Sequence, residues 1–248
     1  NKYFRSMGLP EAVFVEHVKA MSRLGEAGVH SASLFEPETR APGFRWSKKL
    51  YRPASQALLA LVPSSARRVL SVGATTGSDE AALAARGIEV SVVPLDGIFG
   101  SVLQGQGFEV HEGPLAPAMA GLGGAKVDVI LAADVLHLLP DPSEWLRAAS
   151  NALAVNGEIV GSVSNTSSWL WPLKDWRRGR RWIRPSFDDC GAQPMSQSRL
   201  ASLCRASGLE LVDTVAVTEA APGLQRLPWR WARSKLAPQL LFRMRRVR

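Results

Sequence analysis

From Arg68 onward the apolar residues gather in short runs. Val69–Val72, Val90–Val93, Val127–Leu131 and Glu158–Val163 are rich in β-branched side chains, the composition of strands buried on both faces of a parallel sheet. Between these runs the apolar positions spread to helical spacing at Ser78–Arg86, Gly97–Gln104 and Pro142–Leu153. Strand and helix alternate, which predicts a Rossmann-like α/β fold: a doubly wound, mostly parallel sheet with right-handed crossovers and a ligand site at the carboxyl ends of the strands.

The flanks follow other patterns. Pro10 precedes a helical stretch from Glu11 to Met21, as suits proline in a first turn, and a Gly/Ser/Pro-rich stretch runs from Gly25 to Gly43. Residues 1–50 therefore read as an N-terminal helical extension. A further helix is expected from Pro53 to Leu61, stopping before Pro63. The sheet domain then spans 51–217 and includes a Trp/Arg-rich insertion at 166–195. Its last elements are a helix from Ser196 to Ser207, closed by Gly208, and a strand from Leu209 to Val217. Residues 218–248 form a basic, Pro-punctuated segment in which Leu240–Met244 is the expected last sheet strand.

Composition agrees with this reading and narrows it. A chain of 248 residues with 46% hydrophobic and 21% charged residues buries a core of ordinary size and is neither disordered nor fibrous. Cys190 and Cys204 cannot build a disulfide scaffold or a four-cysteine zinc site, so a reducing, cytoplasmic setting is expected; one bridge between them stays formally open. No uncharged apolar run is long enough to cross a bilayer. The first residue is Asn1 and no basic-then-apolar leader is visible, which leaves room for a preceding domain.

Charge divides the chain. Residues 170–248 carry 16 Lys/Arg against 6 Asp/Glu, whereas residues 1–169 carry 14 against 16. Five of the eight tryptophans, Trp171, Trp176, Trp182, Trp229 and Trp231, lie in the same last third, with Trp169 at its border. The net charge of +8 is thus the property of one region.

The first strand runs into Gly73-Ala-Thr-Thr-Gly77 and then a helix opening with Ser78-Asp79-Glu80. A glycine-containing turn between strand and helix lets backbone approach a ligand closely, although a tight turn without a ligand has the same spacing. Three later segments follow it in order: Val92 to Asp96, Val127 to Pro142 and Asn156 to Asn165. Together the four segments resemble the class I S-adenosylmethionine-dependent methyltransferases. The likeness is nearest to the small-molecule and glycan methyltransferases and covers about residues 50–217.

The resemblance implies a site, residue by residue. Gly73, Ala74, Thr75 and Gly77 would form the turn beneath the methionine part of S-adenosylmethionine. The acidic residue that accepts both ribose hydroxyls falls at Pro94, which cannot accept them, so Asp96 is the expected substitute. Gly113, Pro114 and Leu115 match the loop at the adenine edge, with Pro114 in place of the usual acid. Asp134 and Val135 match the wall of the cofactor pocket after the fourth strand. Ser71 stands where an acid is usual, Thr75 where a glycine is usual, and His137-Leu138 where Glu-His is frequent, so the cofactor motif is degenerate.

Methyl transfer from a sulfonium is chiefly a matter of alignment, and a hydroxyl acceptor also benefits from a base that titrates near neutrality. His137 is the candidate general base; its competing reading is a packed core histidine. His17, His30 and His111 show no metal spacing, and Asp188-Asp189 reads as an exposed loop pair, so no metal is expected. Asp141 and Pro142 read as a turn and helix start.

The Trp/Arg segments at 169–184 and 229–248 suit a lid over a saccharide or small-molecule acceptor, or a peripheral contact with anionic membrane. Nucleic acid is the weaker partner, since no RNA-binding module is visible. The leading reading is O-methylation of a sugar, glycan or related small molecule. The alternatives are an inactive methyltransferase-fold protein that docks on a membrane or partner, and an RNA methyltransferase.

Overall fold

Arg68–Ala74 forms β1, hydrogen-bonded in parallel to β2 (Glu89–Pro94) on one side and to β4 (Val127–Ala133) on the other. Six of its seven positions are buried, which is why its sequence reads as a continuous apolar run. The computed structural model describes residues 48, 50–111, 113, 124–177, 179, 181, 186–217 and 235–247. The expected N-terminal extension lies outside them except for Lys48 and Leu50, as do Pro114, Leu115 and the whole of residues 218–234.

The sheet has seven strands in the order β3-β2-β1-β4-β5-β7-β6, completed by β3 (Glu109–Val110), β5 (Leu153–Ser164), β6 (Leu209–Val217) and β7 (Gln239–Arg246). The pairs β1·β2, β1·β4 and β2·β3 are parallel and β6·β7 is antiparallel. The order reverses at β1 and β4, the switch point where such sheets bind ligands. The Rossmann-like fold expected from the sequence is the fold observed. β3, two residues long, is too short to leave a period in the sequence.

The described residues fall into two compact units, one drawn from 50–132 and 151–158, the other from Lys48, 133–150 and 159–247. The first holds α1 (Gln56–Leu59), α2 (Ser78–Ala84) and α3 (Gly97–Gly105). α1 is shorter than the helix expected over Pro53–Leu61. Ser55 caps its start by accepting the Leu58 N–H, and Arg86 donates to the Leu59 and Val62 carbonyls where the chain turns away. α3 buries Phe99, Val102 and Leu103, the i, i+3, i+4 face that its sequence predicts. Asp128 accepts the Arg67 and Arg68 N–H groups at 2.8 and 3.0 Å and so pins the entrance to β1.

The second unit holds α4 (Pro142–Ala152), α5 (Leu170–Arg177), α6 (Phe187–Cys190) and α7 (Gln197–Ala206). Asp141 accepts the Ser143 and Glu144 N–H groups, so it starts α4 as a cap. Ser196 does the same for α7, and Gly208 ends that helix region at φ +68. β7 is the last strand expected around Leu240–Met244, extended at both ends; Leu240, Leu241, Phe242 and Met244 are buried, while β6, at the sheet edge, is half-exposed. α5 occupies the Trp/Arg-rich insertion, where the sequence announced no element. Asp188 lies in α6 and is exposed. No helix among the described residues is long and apolar enough to cross a membrane.

Cys204 is a free thiol buried on the inner face of α7 beside Leu200 and Leu203. Burial pushes its pKa up to about 12, so the nucleophilic thiolate is scarce at neutral pH. Iodoacetamide at mildly alkaline pH is expected to leave Cys204 unmodified in the folded protein and to alkylate it in urea, as read by peptide mass spectrometry. Equal labelling in both states would show that α7 opens readily.

Candidate functional site

The turn after β1 lies in the first unit. Gly73 and Gly77 sit at φ +71 and +79, a region open to glycine and strained for most other residues. Gly77 also faces the end of α3: a Cβ there would collide with the Gln106 amide, which donates to the Thr76 carbonyl at 3.2 Å. All five residues from Gly73 to Gly77 are buried. Ala74 of β1 is in register with Pro94 of β2, so the turn and Asp96 emerge at the same edge of the sheet.

Asp96 can serve both the fold and a ligand. Its Oδ1 accepts the Phe99 N–H at 3.0 Å and caps α3, while the residue as a whole remains half-exposed. Tyr51 lies close enough that burial first, and the Asp96 charge second, push its phenol above the usual range. Its ring tilts against Phe99 at a centroid distance of 6.2 Å. The segment carrying Tyr51 is tied down by Asp79, in the first turn of α2, which accepts a fork from Arg52 and the Ser55 N–H. This pair is largely buried and shares a backbone donor, so it should exceed the roughly 0–1 kcal/mol of an exposed ion pair.

Ser71, where the sequence lacks an expected acid, donates to Glu80 Oε1 at 2.5 Å, and both are buried. A buried carboxylate from α2 therefore lies beside Ser71. Sequence reading missed Glu80; the signal was the serine itself, a small polar residue inside an apolar strand.

Asp134 and Val135 follow β4 and belong to the second unit, both buried. Asp134 holds φ +55, a left-handed conformation that Asp and Asn tolerate better than other side chains. Its N–H meets both the carbonyl and the hydroxyl of Ser162 at 3.0 Å, and its Oδ1 accepts from Ser162 Oγ at 2.7 Å and Gln239 Nε2 at 2.8 Å. Lys48 donates to the adjacent Ala133 carbonyl. Burial by itself raises the Asp134 carboxyl, but the Lys48 ammonium, the His137 ring and the hydrogen bonds from Ser162 and Gln239 outweigh it and hold the pKa below the ordinary value. Lys48, Ser162 and Gln239 were not legible as site residues, since 85 residues separate Lys48 from Ala133 and 105 separate Asp134 from Gln239.

His137 sits in a 3-10 turn, Leu136–Leu138, with no exposed surface. Its carbonyl accepts the Gln193 N–H at 2.7 Å. Gln193 in turn lines a cleft of about 810 Å³, together with Thr166, Ser167, Ser168, Trp169, Pro172, Pro194, Ser196, Ser198, Arg199 and Lys235. A neighbouring depression of about 400 Å³ shares Ser167, Ser196, Ser198 and Lys235 with it. The cleft floor is stitched by hydrogen bonds: Thr166 Oγ1 to Met195, Ser168 Oγ to the Leu236 carbonyl, Asn165 to Ala237 and Pro238, and the Trp169 N–H to the Lys235 carbonyl. Of the loop expected at the adenine edge only Gly113 is described, at φ +94. No group of three or more metal-ligating side chains occurs among the described residues.

The sequence matches the model of a family described as a methyltransferase domain over residues 45–214. Among curated proteins, none matches it significantly. Solved structures do. An S-adenosylmethionine-dependent methyltransferase from Mesorhizobium loti superposes with a TM-score of 0.57 at 17% identity, covering 77% of this chain and 96% of that one. Magnesium protoporphyrin IX methyltransferase from Synechocystis PCC 6803, with bound S-adenosylhomocysteine, gives 0.54 at 14% identity over 77% and 79%. An O-methyltransferase from neocarzinostatin biosynthesis, in complex with S-adenosylmethionine and a naphthoic acid, gives 0.51 at 16% identity over 74% and 50%. At such identities the likeness is one of fold.

The Asp134 network has a pH signature. A carboxyl whose folded pKa lies below its unfolded value contributes stability above the unfolded pKa and loses it as pH falls through the folded one. Asp134→Asn keeps the left-handed residue and an acceptor but removes the charge that faces Lys48, at a cost of about 3 kcal/mol near neutrality. Urea unfolding of both proteins should show this difference at neutral pH and a shrinking one below about pH 4. A difference that persists unchanged in acid would show that the charge contributes nothing.

Proposed function

The chain belongs to the methyltransferase-domain family, with S-adenosylmethionine as its methyl donor, and from that premise we propose that the acceptor is an oxygen of a sugar, glycan or related small molecule. The cleft around Lys235 carries this reading. Ser167, Ser196, Ser198 and Gln193 offer paired donors and acceptors to sugar hydroxyls. Trp169 offers a flat apolar wall to a sugar ring. Arg199 and Lys235 suit a phosphate or carboxylate on the same molecule.

S-adenosylmethionine, when bound, supplies a methyl group on a sulfonium, which is already a good leaving group. What is left to the protein is to bind and orient. The residues of the first unit are suited to this. The left-handed glycines at Gly73 and Gly77 allow close backbone approach, Glu80 places an acid beside Ser71, and Asp96 keeps a half-exposed carboxylate edge for the ribose hydroxyls. His137 is retained as the candidate base for the acceptor hydroxyl. Its carbonyl accepts the N–H of Gln193, a residue of the cleft wall, while its ring is fully buried.

Calorimetric titration with S-adenosylmethionine and S-adenosylhomocysteine tests the donor side. Both should bind, and absence of binding at millimolar concentration would overturn the enzymatic reading. Asp96→Ala would also remove a helix cap worth about 0.5–2 kcal/mol, so Asp96→Asn, which caps as well, isolates the carboxylate. It should weaken cofactor binding by about 1.5–3 kcal/mol with little change in melting temperature. Unchanged affinity would move the ribose contact to another acid.

Transfer of labelled methyl to a panel of sugars and sugar phosphates tests the acceptor side. Arg199→Ala should raise the acceptor KM about tenfold or more, the loss of one charge-assisted hydrogen bond. His137→Gln should lower kcat about a hundredfold and flatten the acid limb of the pH profile. Transfer only to acceptors without sugar-like hydroxyls would refute the class, and an unchanged pH profile would make His137 a packing residue.

A further inference from the structure

The large apolar side chains exposed among the described residues are Leu50, Val155, Trp169, Leu173, Trp176, Val215 and Val247. Three of these seven lie at the start of α5 or on it. Trp169, Leu173 and Trp176 are 64%, 45% and 76% exposed, and their i, i+4, i+7 spacing sets them on one helical face. An isolated exposed apolar residue needs no explanation, but a stripe containing two tryptophans does.

The exposed charges of α5 itself have one sign. Arg177 is exposed on the flank of the stripe, and Lys174, also exposed, lies over the Trp171 ring at 5.0 Å toward the anchored side of the helix. The one acid of the helix, Asp175, is 3% exposed and is thereby removed from the face. The sequence continues as Arg178, Arg180, Arg181, Trp182 and Arg184. The helix itself is anchored from behind, since Trp171 Nε1 donates to the Asn165 carbonyl at 2.8 Å.

We propose that this face of α5 seats the protein on an anionic lipid bilayer, with Leu173 and Trp176 at headgroup depth, Arg177 against lipid phosphate and Trp169 at the rim beside the cleft. Tryptophan favours the membrane interface, and cationic side chains beside it add attraction to anionic lipid. A second copy of the chain is the poorer occupant, because it would bring the same cations against these. Trp169 also lines the cleft around Lys235, so docking would place that cleft at the bilayer surface. The proposal stands on α5 and does not depend on the acceptor being a sugar.

Vesicles of phosphatidylcholine with and without phosphatidylglycerol, sedimented with the full chain at low and high salt, provide the test. Attraction through the basic segment alone would also pellet the protein, so the deciding variant leaves charge untouched. Leu173→Ser/Trp176→Ser should keep its melting temperature and its binding to S-adenosylmethionine, yet bind anionic vesicles about tenfold more weakly. Wild-type protein should show little binding to neutral vesicles. Equal binding by the variant would assign the attraction to other cations, and no pelleting at low salt would remove membrane docking altogether. Sedimentation velocity supplies the third outcome: dimers of wild type that the variant loses would mean that a second copy covers the face. A variant that melts early is replaced by Leu173→Gln alone, read against the same three outcomes. Loss of cofactor binding in wild type would overturn the enzymatic reading and leave this one to the vesicles.

Discussion

Strand β1 is hydrogen-bonded on both sides and buried at six of its seven positions, and the chemistry of the first unit depends on its register. Because β1 and β2 run parallel with Ala74 level with Pro94, the glycine turn and Asp96 leave the sheet at one edge. With both faces of β1 buried, its register is fixed by how its side chains pack against the two neighbouring strands and the covering helices. Asp128 adds a clamp on the entering backbone.

The second unit solves a different problem, that of burying polar groups. Asn165, Thr166 and Ser168 are almost fully enclosed, and each is committed to a carbonyl or an N–H in a segment distant in sequence. Unpaired, each such group would cost about 1–3 kcal/mol. Paired, they fix the walls of a polar cleft before any ligand arrives, which lowers the ordering cost of binding. Asp134 is handled in the same way, its left-handed backbone and buried charge both held by Ser162, Gln239 and Lys48.

Four acids are taken into the interior. Asp79, Glu80, Asp134 and Asp175 are buried, the first three accepting hydrogen bonds from Arg52, Ser71 and Ser162 respectively, whereas Lys174, Arg177, Arg199 and Lys235 face outward. Among the described residues of the last third, these four cations are available to ligands and surfaces.

The strands and helices of the sheet, the helix start at Asp141, the helix from Ser196 closed by Gly208 and the last strand were legible in the sequence because each rests on local rules: period, capping chemistry and left-handed glycine. Ser71 was legible as a missing acid, but Glu80 as its partner was not, since only the packing of α2 against β1 brings the two within 2.5 Å. The same holds for Lys48 and Gln239, whose partners lie far along the chain, and for α5, where tryptophan and arginine obscure the helical period. The +8 charge was placed in the last third by counting alone. Which side of α5 faces solvent, and that its one acid is withdrawn from that side, was decided by the tertiary structure, because exposure is set by what packs behind a helix and composition carries no record of it.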